Sequence, residues 1–358
     1  MRRFNLTRQI IWGASIMAGA TLSALCCALP ASAETADQLY AKAKEEKTLA
    51  LWGAGPAANY ERAARAFEQQ YPGIAVSLTG GSSNVLNGKI EEQIKAKKVE
   101  TDLVIFQTIQ DFVNWNKRGL LLRFKPDGFD KIGASSKDKD GAWIAVNAIP
   151  LFYIYNTEHV RSEDVPKSAL DFLKPQFKGK LVTNYPADDD AALYAFYTIV
   201  QKYGWSYMDQ YMAQQPKFIR GHLGVAQNVA SGESLVSFED SLTAIVVAQR
   251  AGGKIAPAAP TADPLPVFFT AEAILNDAPH PNAAKLFVTW FLSKEWQSRI
   301  GIYSSRSDVP PPEGLKPLSS YRLADSYLQF VTDEKQLVEL RKRFEKYSGP
   351  VTNAGGVR

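Results

Sequence analysis

The sequence contains very little cysteine, and its two cysteines, Cys26 and Cys27, are adjacent near the amino terminus. The other residues carry no thiol, which excludes a disulfide framework, a cysteine nucleophile and a zinc site with cysteine ligands among them. The histidines are also few, and His159, His222 and His280 lie far apart without the spacing of metal ligands. We therefore predict no metal site and no cofactor.

Common catalytic motifs are absent as well. The sequence has no G-x-S-x-G nucleophile elbow, no phosphate-binding P-loop and no G-x-G-x-x-G dinucleotide motif. Because these segments carry the chemistry of large enzyme classes, their absence argues against catalysis. We do not expect an enzyme.

The sequence also lacks a strong excess of charge. Its formal net charge is +4, and the arginines of the first 33 residues account for most of it. This balance excludes the basic surface typical of nucleic-acid binding. With 46% hydrophobic and 22% charged residues over 358 positions, the chain has the composition of a soluble globular protein. Its length favours two lobes over a single small core.

The amino terminus has the pattern of a secretory signal peptide. Arg2 and Arg3 are followed by an uncharged stretch over residues 10–29 and by small residues that end at Ala33. A basic start, an apolar stretch and a small-residue site are the three parts of such a signal. We predict residues 1–33 to be a signal peptide cleaved between Ala33 and Glu34, which places the mature protein in the periplasm.

Other interpretations of this segment stay open. The apolar stretch approaches the length that spans a bilayer, so a retained membrane anchor is an alternative. Lipid attachment at Cys26 is disfavoured because bulky Leu25 precedes it. The adjacent Arg2 and Arg3 are compatible with twin-arginine export as well as with the general secretory route.

Residues 34–145 alternate between short apolar runs and amphipathic segments. This alternation predicts strand–helix–strand–helix–strand–helix with short loops, which is typical of a parallel sheet covered by helices. Ligands of such sheets bind beyond the carboxyl ends of the strands. We therefore expect the loops at 53–56, 80–84 and 107–110 to converge on one cleft. The predicted strands are 48–52, 74–78 and 103–106, and the predicted helices are 36–46, 60–71, 85–98 and 109–118.

The pattern changes near residue 145 but again predicts strands and helices. A second α/β lobe begins with a long apolar extended run, and a proline-rich segment at 256–266 is predicted to cross between the lobes. The carboxylates Glu239 and Asp240 are predicted to open a helix. Further predicted strands are 144–156, 180–183, 234–238, 267–269 and 273–275, and predicted helices are 191–203, 205–214, 241–251 and 282–297, with a mostly helical tail at 321–347.

Several stretches together resemble a known family. They are residues 48–73, residues 79–83 with 101–106, residues 231–236, and residues 280–297 with 306–309. In this order and spacing the chain resembles periplasmic solute-binding proteins of ABC importers, in the branch that includes ferric-ion binders.

The resemblance implies an α/β type II periplasmic binding protein fold, in which two lobes joined by a hinge close around a ligand. Residues 34–145 and 263–312 would form lobe 1, and residues 146–262 and 313–358 would form lobe 2. The implied function is capture of a small polar solute by a monomer, which delivers it to an ABC permease and its ATPase in the inner membrane. A sensory partner that presents its ligand to a receptor would use the same fold.

The identity of the ligand is less constrained. Ferric members of the family hold iron with adjacent tyrosines after the strand near residue 236, but this chain has Glu239 and Asp240 there. Ferric iron prefers anionic oxygen ligands such as phenolate. We therefore expect a zwitterionic, phosphorylated or polyhydroxylated organic compound first, a polyamine-like cation second and ferric iron third.

Candidate ligand contacts follow the strand ends. Residues 82–84 lie at a helix amino terminus, where free amides favour an anion, although capping alone would also explain them. Carboxylates at the predicted second-lobe strand ends suit amines or hydroxyls, and aromatic side chains suit sugar faces or cations. The candidates are Trp52, Ser82, Ser83, Asn84, Gln107, Thr108, Tyr185, Asp188, Asp189, Glu239 and Asp240.

Overall fold

A computed structural model describes residues 34–352 of the chain. The predicted signal peptide, including both cysteines, lies outside these residues. The strands are β1 Thr48–Ala54, β2 Ala75–Gly81, β3 Leu103–Phe106, β4 Ile144–Asn156, β5 Val182–Asn184, β6 Lys217–Ile219, β7 Val236–Ser241, β8 Ile255–Ala258, β9 Leu265–Ile274 and β10 Leu323–Ala324. The helices are α1 Ala36–Glu46, α2 Ala58–Gln70, α3 Ser83–Lys95, α4 Ile109–Lys117, α5 Asp190–Tyr203, α6 Ser206–Ala213, α7 His222–Ala230, α8 Leu242–Arg250, α9 Pro281–Phe291, α10 Lys294–Gln297, α11 Tyr327–Thr332 and α12 Glu334–Ser348.

The first three strands form the predicted parallel sheet, since β1 pairs in parallel with both β2 and β3. The sheet then continues with antiparallel strands in the order β2-β1-β3-β9-β4-β7. Strand β4 is long enough to pair with β9 along its first half and with β7 and β8 along its second. This strand therefore connects the two halves of the sheet.

Aromatic packing holds helices against the parallel strands. In α2, the periodic residues Ala63, Ala64 and Phe67 are buried, as the helical spacing predicts. The Phe67 ring lies 5.0 Å from that of Phe287 and 5.4 Å from that of Trp290, both in α9. This core fixes α2 beside the end of β1, where the cleft was predicted.

Some predicted boundaries are wrong. The predicted strands at 267–269 and 273–275 are one strand, β9, and part of the predicted crossing segment is strand β8. The loop predicted from residue 80 is strand until Gly81, because β2 pairs with β1 along its whole length.

Glu239 and Asp240 do not open a helix, and this prediction is wrong as well. Both lie inside β7, and α8 begins at Leu242 with Ser241 as its cap. Asp240 pairs with Phe152 and Ser241 with Leu151 of β4, so the ladder extends the strand past the predicted end. Residues 34–352 belong to one compact unit, and the predicted lobe boundaries stay a prediction.

Candidate functional site

A cavity of about 790 Å³ opens where β1, β2 and β3 end. Its walls come from segments that are far apart in sequence, as expected for a site at the carboxyl edge of parallel strands. The lining residues are Ala54, Gly55, Asn59, Ser82, Ser83, Asn84, Gln107, Thr108, Gln110, Ala187, Asp188, Asp189, Asp190, Ala191, Phe268, Tyr327, Val331, Glu334, Leu337, Val338 and Arg341.

One side, here called the donor wall, consists of Ser82, Ser83, Asn84, Gln107, Thr108 and Gln110. Ser82 is the N-cap of α3 but its side chain makes no capping hydrogen bond. The first amides of α3 have no carbonyl partner inside the helix, so the helix amino end presents N–H groups and hydroxyls. This is the arrangement predicted for residues 82–84.

The rest of the donor wall is the amino end of α4. The Thr108 hydroxyl donates to Asp111 Oδ2 at 2.6 Å, which orients the loop after β3. Burial raises the pKa of Asp111, although the bond from Thr108 opposes the shift. Gln110 Nε2 donates to Asp190 Oδ2 at 3.0 Å across the cavity. Polar side chains therefore line the cavity along this wall, with the Thr108 hydroxyl and one Gln110 donor already engaged by carboxylates.

The acidic wall consists of Asp188, Asp189 and Asp190 at the start of α5. Asp188 Oδ1 accepts from Arg220 Nη2 at 2.9 Å. Asp189 Oδ1 accepts from the amides of Ala191 and Ala192, each at 2.9 Å, so this residue is the N-cap of α5. The predicted capping role of Asp189 is therefore confirmed, and the same side chain also faces the cavity.

A buried polar cluster lies behind the acidic wall. Glu239 and Asp240 are 0% exposed and do not line the cavity. Glu239 Oε1 accepts from the Thr183 hydroxyl at 2.9 Å and from the Asn184 amide at 3.1 Å. Burial raises the pKa of Glu239 to about 7 and that of Asp240 to about 6. Direct contact of Glu239 and Asp240 with a ligand stays a prediction. In this structure they hold Asn184 and His222, which lie next to the acidic wall.

His222 connects this cluster to the cavity. Its Nδ1 lies 3.1 Å from Asp240 Oδ1, and its Nε2 lies 3.6 Å from Asp189 Oδ1. Burial opposes protonation, but the nearby charge of Asp189 and the hydrogen bond to Asp240 raise the pKa of His222 well above its ordinary value. The imidazolium in turn lowers the pKa of Asp189 against the effect of burial. Sequence reasoning did not select His222, because its partners are distant in sequence.

Trp52 and Tyr185 lie outside the cavity lining. Trp52 is half-buried on β1 and packs against the hydrophobic core. Tyr185 is buried, with its ring 5.6 Å from that of Phe218 and its hydroxyl 3.2 Å from Thr352 Oγ1. Their proposed stacking on a ligand stays a prediction. The other candidates that do line the cavity are Ser82, Ser83, Asn84, Gln107, Thr108, Asp188 and Asp189.

The C-terminal wall was not anticipated from the sequence. It consists of Tyr327, Val331, Glu334, Leu337, Val338 and Arg341. Residues 334, 337, 338 and 341 have the spacing of one helix face, so a single stripe of α12 faces the cavity. The amphipathic tail predicted helices but did not indicate what they pack against.

Within residues 34–352, no group of three or more histidine, cysteine, aspartate or glutamate side chains is arranged to hold a metal ion. In the same part of the chain, no helix has both the length and the apolar character needed to cross a membrane.

Residues 62–318 match the sequence model of the bacterial extracellular solute-binding proteins. This match covers well over half of the chain, and the chain therefore belongs to that family. Members of this family bind solutes and are not enzymes, so the prediction of a non-enzymatic binding protein is confirmed.

Similar proteins agree with this assignment. A probable ABC transporter periplasmic-binding protein, y4fP of Sinorhizobium fredii, is 22% identical over 233 residues, which are 59% of this chain and 62% of that protein. The alignment therefore spans less than two thirds of the relative's length.

Solved structures are similar in fold. Iron-bound HitA from Pseudomonas aeruginosa has a TM-score of 0.70 and 20% identity over 83% of this chain and 99% of that chain. AfuA from Actinobacillus pleuropneumoniae with bound fructose 6-phosphate has a TM-score of 0.70 and 21% identity over 85% of this chain and 100% of that chain. The predicted periplasmic binding protein fold is thereby confirmed.

Proposed function

We propose that this protein is the substrate-binding component of an ABC importer and captures a small polar organic solute in the periplasm. Membership of the extracellular solute-binding family and similarity to a probable ABC transporter periplasmic-binding protein support the transport role. An inner-membrane permease and its ATPase are the partners that this role requires. The protein acts as a monomer and binds no nucleic acid.

The cavity carries this proposal. Its volume of about 790 Å³ falls within the range of roughly 300–1,000 Å³ typical of small-molecule sites and far exceeds the space of one metal ion. Its lining is mostly polar, so the ligand makes many hydrogen bonds. A zwitterionic, phosphorylated or polyhydroxylated compound has the matching groups.

The two polar walls indicate how such a ligand would lie. Donors at the amino ends of α3 and α4 suit an anionic or oxygen-rich group. On the acidic wall, both capping bonds of Asp189 go to Oδ1, and within residues 34–352 its Oδ2 accepts no hydrogen bond, so Oδ2 is available to a ligand hydroxyl or amine. The structurally similar AfuA was solved with a sugar phosphate, a ligand with both kinds of group.

Cationic ligands are the alternative. HitA is an iron-bound protein of similar fold, but Tyr327 is the single tyrosine among the described residues that line this cavity. Ferric iron bound through phenolates would therefore need another tyrosine. A polyamine-like cation is favoured by the carboxylates of the acidic wall and Glu334. A ligand-presenting sensory role would use the same cavity.

Export and domain organisation complete the proposal. Residues 1–33 act as a signal peptide that is removed between Ala33 and Glu34. Residues 34–145 with 263–312 and residues 146–262 with 313–358 act as lobes that close around the ligand by a hinge motion. Differential affinity of the ligand for the closed arrangement drives this closure.

A thermal-shift screen of residues 34–358 tests the ligand class. The panel contains amino acids, polyamines, sugar phosphates with their parent sugars, phosphonates, aromatic acids and Fe(III)-citrate. A ligand at about 100 times its dissociation constant adds about 2.7 kcal/mol to stability, which clearly raises the melting temperature. We expect a zwitterionic, phosphorylated or polyhydroxylated solute to do so. Stabilisation by iron or polyamines alone would refute the zwitterionic, phosphorylated or polyhydroxylated class, and no stabilisation by any compound would refute the ligand classes that the panel represents.

A further inference from the structure

The C-terminal wall lies outside the segment that matches the family model. The family match ends at residue 318, whereas helices α11 and α12 begin at Tyr327 and Glu334. These helices nevertheless line the cavity. One wall of the cavity therefore comes from residues that follow the matched segment.

Helix α12 is held rigidly against the rest of the molecule. Phe344 is 0% exposed, and its ring lies 4.9 Å from that of Trp205 and 5.4 Å from that of Phe196. The Arg343 guanidinium lies 3.6 Å from the centroid of the Trp205 ring, a cation–π contact. The cavity face of α12 is consequently a fixed wall, on which a polar side chain can be oriented for a ligand.

Arg341 is the one cationic side chain among the described residues that line the cavity. Its Nη2 pairs with Asp190 Oδ1, and its side chain is 39% exposed. A guanidinium has five N–H donors in a planar fork. Asp190 occupies one of them, so the other donors are available toward the cavity.

The aspartates of the acidic wall already have partners. Asp188 is paired with Arg220, Asp189 accepts two backbone amides and lies beside His222, and Asp190 accepts from both Gln110 and Arg341. Arg220 and the imidazolium of His222 offset the charges of Asp188 and Asp189, and Asp190 is paired with Arg341 itself. The pair with Asp190 also orients the Arg341 guanidinium, because the Asp190 carboxylate is fixed by Gln110 on its other oxygen.

We propose that Arg341 is a specificity-determining residue that binds an anionic group of the ligand, such as a phosphate or carboxylate, through the guanidinium donors that Asp190 leaves available. The proposal rests on the proposed function, because it names the chemistry of the same ligand. The planar fork matches such anions in a two-bond arrangement that a lysine ammonium does not reproduce. The fixed wall of α12 makes this contact selective.

The test uses calorimetric titration of residues 34–358 with each organic solute that stabilises the wild type, and with its neutral counterpart. Fructose 6-phosphate and fructose are the first pair. In Arg341→Met we expect at least tenfold weaker binding of the anionic solute, equivalent to about 1.4 kcal/mol, and little change for the neutral one. Arg341→Lys keeps the charge but loses the fork, and we expect an intermediate loss.

Two further variants separate direct contact from indirect effects. Lys342→Met removes an equal charge from the exposed neighbouring position of α12, and we expect unchanged affinity.

The double variant Arg341→Met with Asp190→Asn removes both partners of the ion pair. If Arg341 touches the ligand, the loss persists. Recovery of affinity would overturn the proposal, since the single variant would then act by exposing the charge of Asp190. Unliganded melting temperatures check that all variants fold.

The outcomes distinguish this proposal from the proposed function. Binding of an organic solute that is equally tight in wild type and Arg341→Met would overturn the role of Arg341 and leave solute binding intact. Binding of neutral or cationic organic solutes alone would also overturn it. Absence of organic-solute binding by the wild type would refute both.

Discussion

At the scale of single residues, Glu272 on β9 stands apart from the other carboxylates. It is 1% exposed, and neither of its oxygens has a hydrogen-bond partner within residues 34–352. Burial raises the pKa of Glu272 well above its ordinary value. An ionised carboxylate without partners is too costly to bury, so the folded protein holds this side chain as a neutral acid.

This neutral acid predicts a specific pH dependence of stability. The folded pKa is raised, so the unfolded chain releases the proton at lower pH than the folded chain does. Stability therefore falls as pH rises from the ordinary glutamate pKa through the folded one. In Glu272→Gln there is no proton to lose. We expect the free energy of unfolding of the variant, relative to wild type, to increase by up to about 1.4 kcal/mol per pH unit across that window.

Denaturant unfolding between about pH 5 and pH 8 measures this difference. Glu339→Gln, an equivalent change at an exposed position of α12, is the matched control and should show no such trend. If the free energy of unfolding changes with pH in the same way for wild type and Glu272→Gln, Glu272 is not a neutral acid in the folded protein.

At the scale of elements, the end of β2 positions the donor wall. A Cβ added at Gly80 would lie 2.2 Å from the backbone nitrogen of Ala57 and 2.6 Å from the carbonyl oxygen of Gly55. Both neighbours are backbone atoms, which cannot move aside without displacing the start of α2. Glycine at position 80 therefore permits the close approach that brings residues 82–84 to the cavity.

Gly80→Ala should accordingly disturb both fold and site. We expect a loss of about 1–3 kcal/mol in the free energy of unfolding, the usual cost of overpacking, together with weaker ligand binding. Gly88→Ala is the matched control, because a Cβ there would meet nothing within 4 Å in the exposed middle of α3. Helix propensity predicts that this control gains about 0.5–1 kcal/mol. Equal melting temperatures for the two variants would contradict the close-approach argument.

The elements also show where sequence patterns are sufficient. Strands β1, β2 and β3 and the helices between them were predicted because short apolar runs alternate with helical spacing. Strand β9 was predicted as two pieces because Thr270 and Glu272 interrupt its apolar run, yet pairing with β3 and β4 makes it continuous. Glu239 and Asp240 resemble a helix cap in sequence, but pairing of β7 with β4 keeps them in a strand. In both cases, hydrogen bonding between strands that are distant in sequence determined the local structure.

At the scale of the whole molecule, the candidate cavity combines segments from Ala54 to Arg341. Its donor and acidic walls could be predicted, because the strand-end rule needs only local patterns. The C-terminal wall could not, because the place of α12 depends on the packing of Phe344 against Trp205. His222 was missed for the same reason, since Asp189 and Asp240 become its neighbours only in the folded chain.

The hydrogen bond between Gln110 and Asp190 joins helices assigned to different predicted lobes across the cavity. Gln110 Nε2 at the start of α4 donates to Asp190 Oδ2 at the start of α5, with a separation of 3.0 Å. If the lobes move about a hinge, this bond forms in the closed arrangement and breaks in the open one. It therefore contributes only to the closed state, in which the ligand is enclosed.

Gln110→Ala should shift this equilibrium toward the open state. A hydrogen bond to a charged group contributes about 1.5–3 kcal/mol, so we expect ligand affinity to fall roughly tenfold or more, with a larger radius of gyration in solution scattering. Gln93→Ala is the control, because its side chain bonds to Glu100 within one predicted lobe. That variant should lose stability without a change in the distribution of open and closed forms. Unchanged affinity and radius in Gln110→Ala would mean that the two predicted lobes do not separate at this contact, and hinge closure would then have to occur elsewhere.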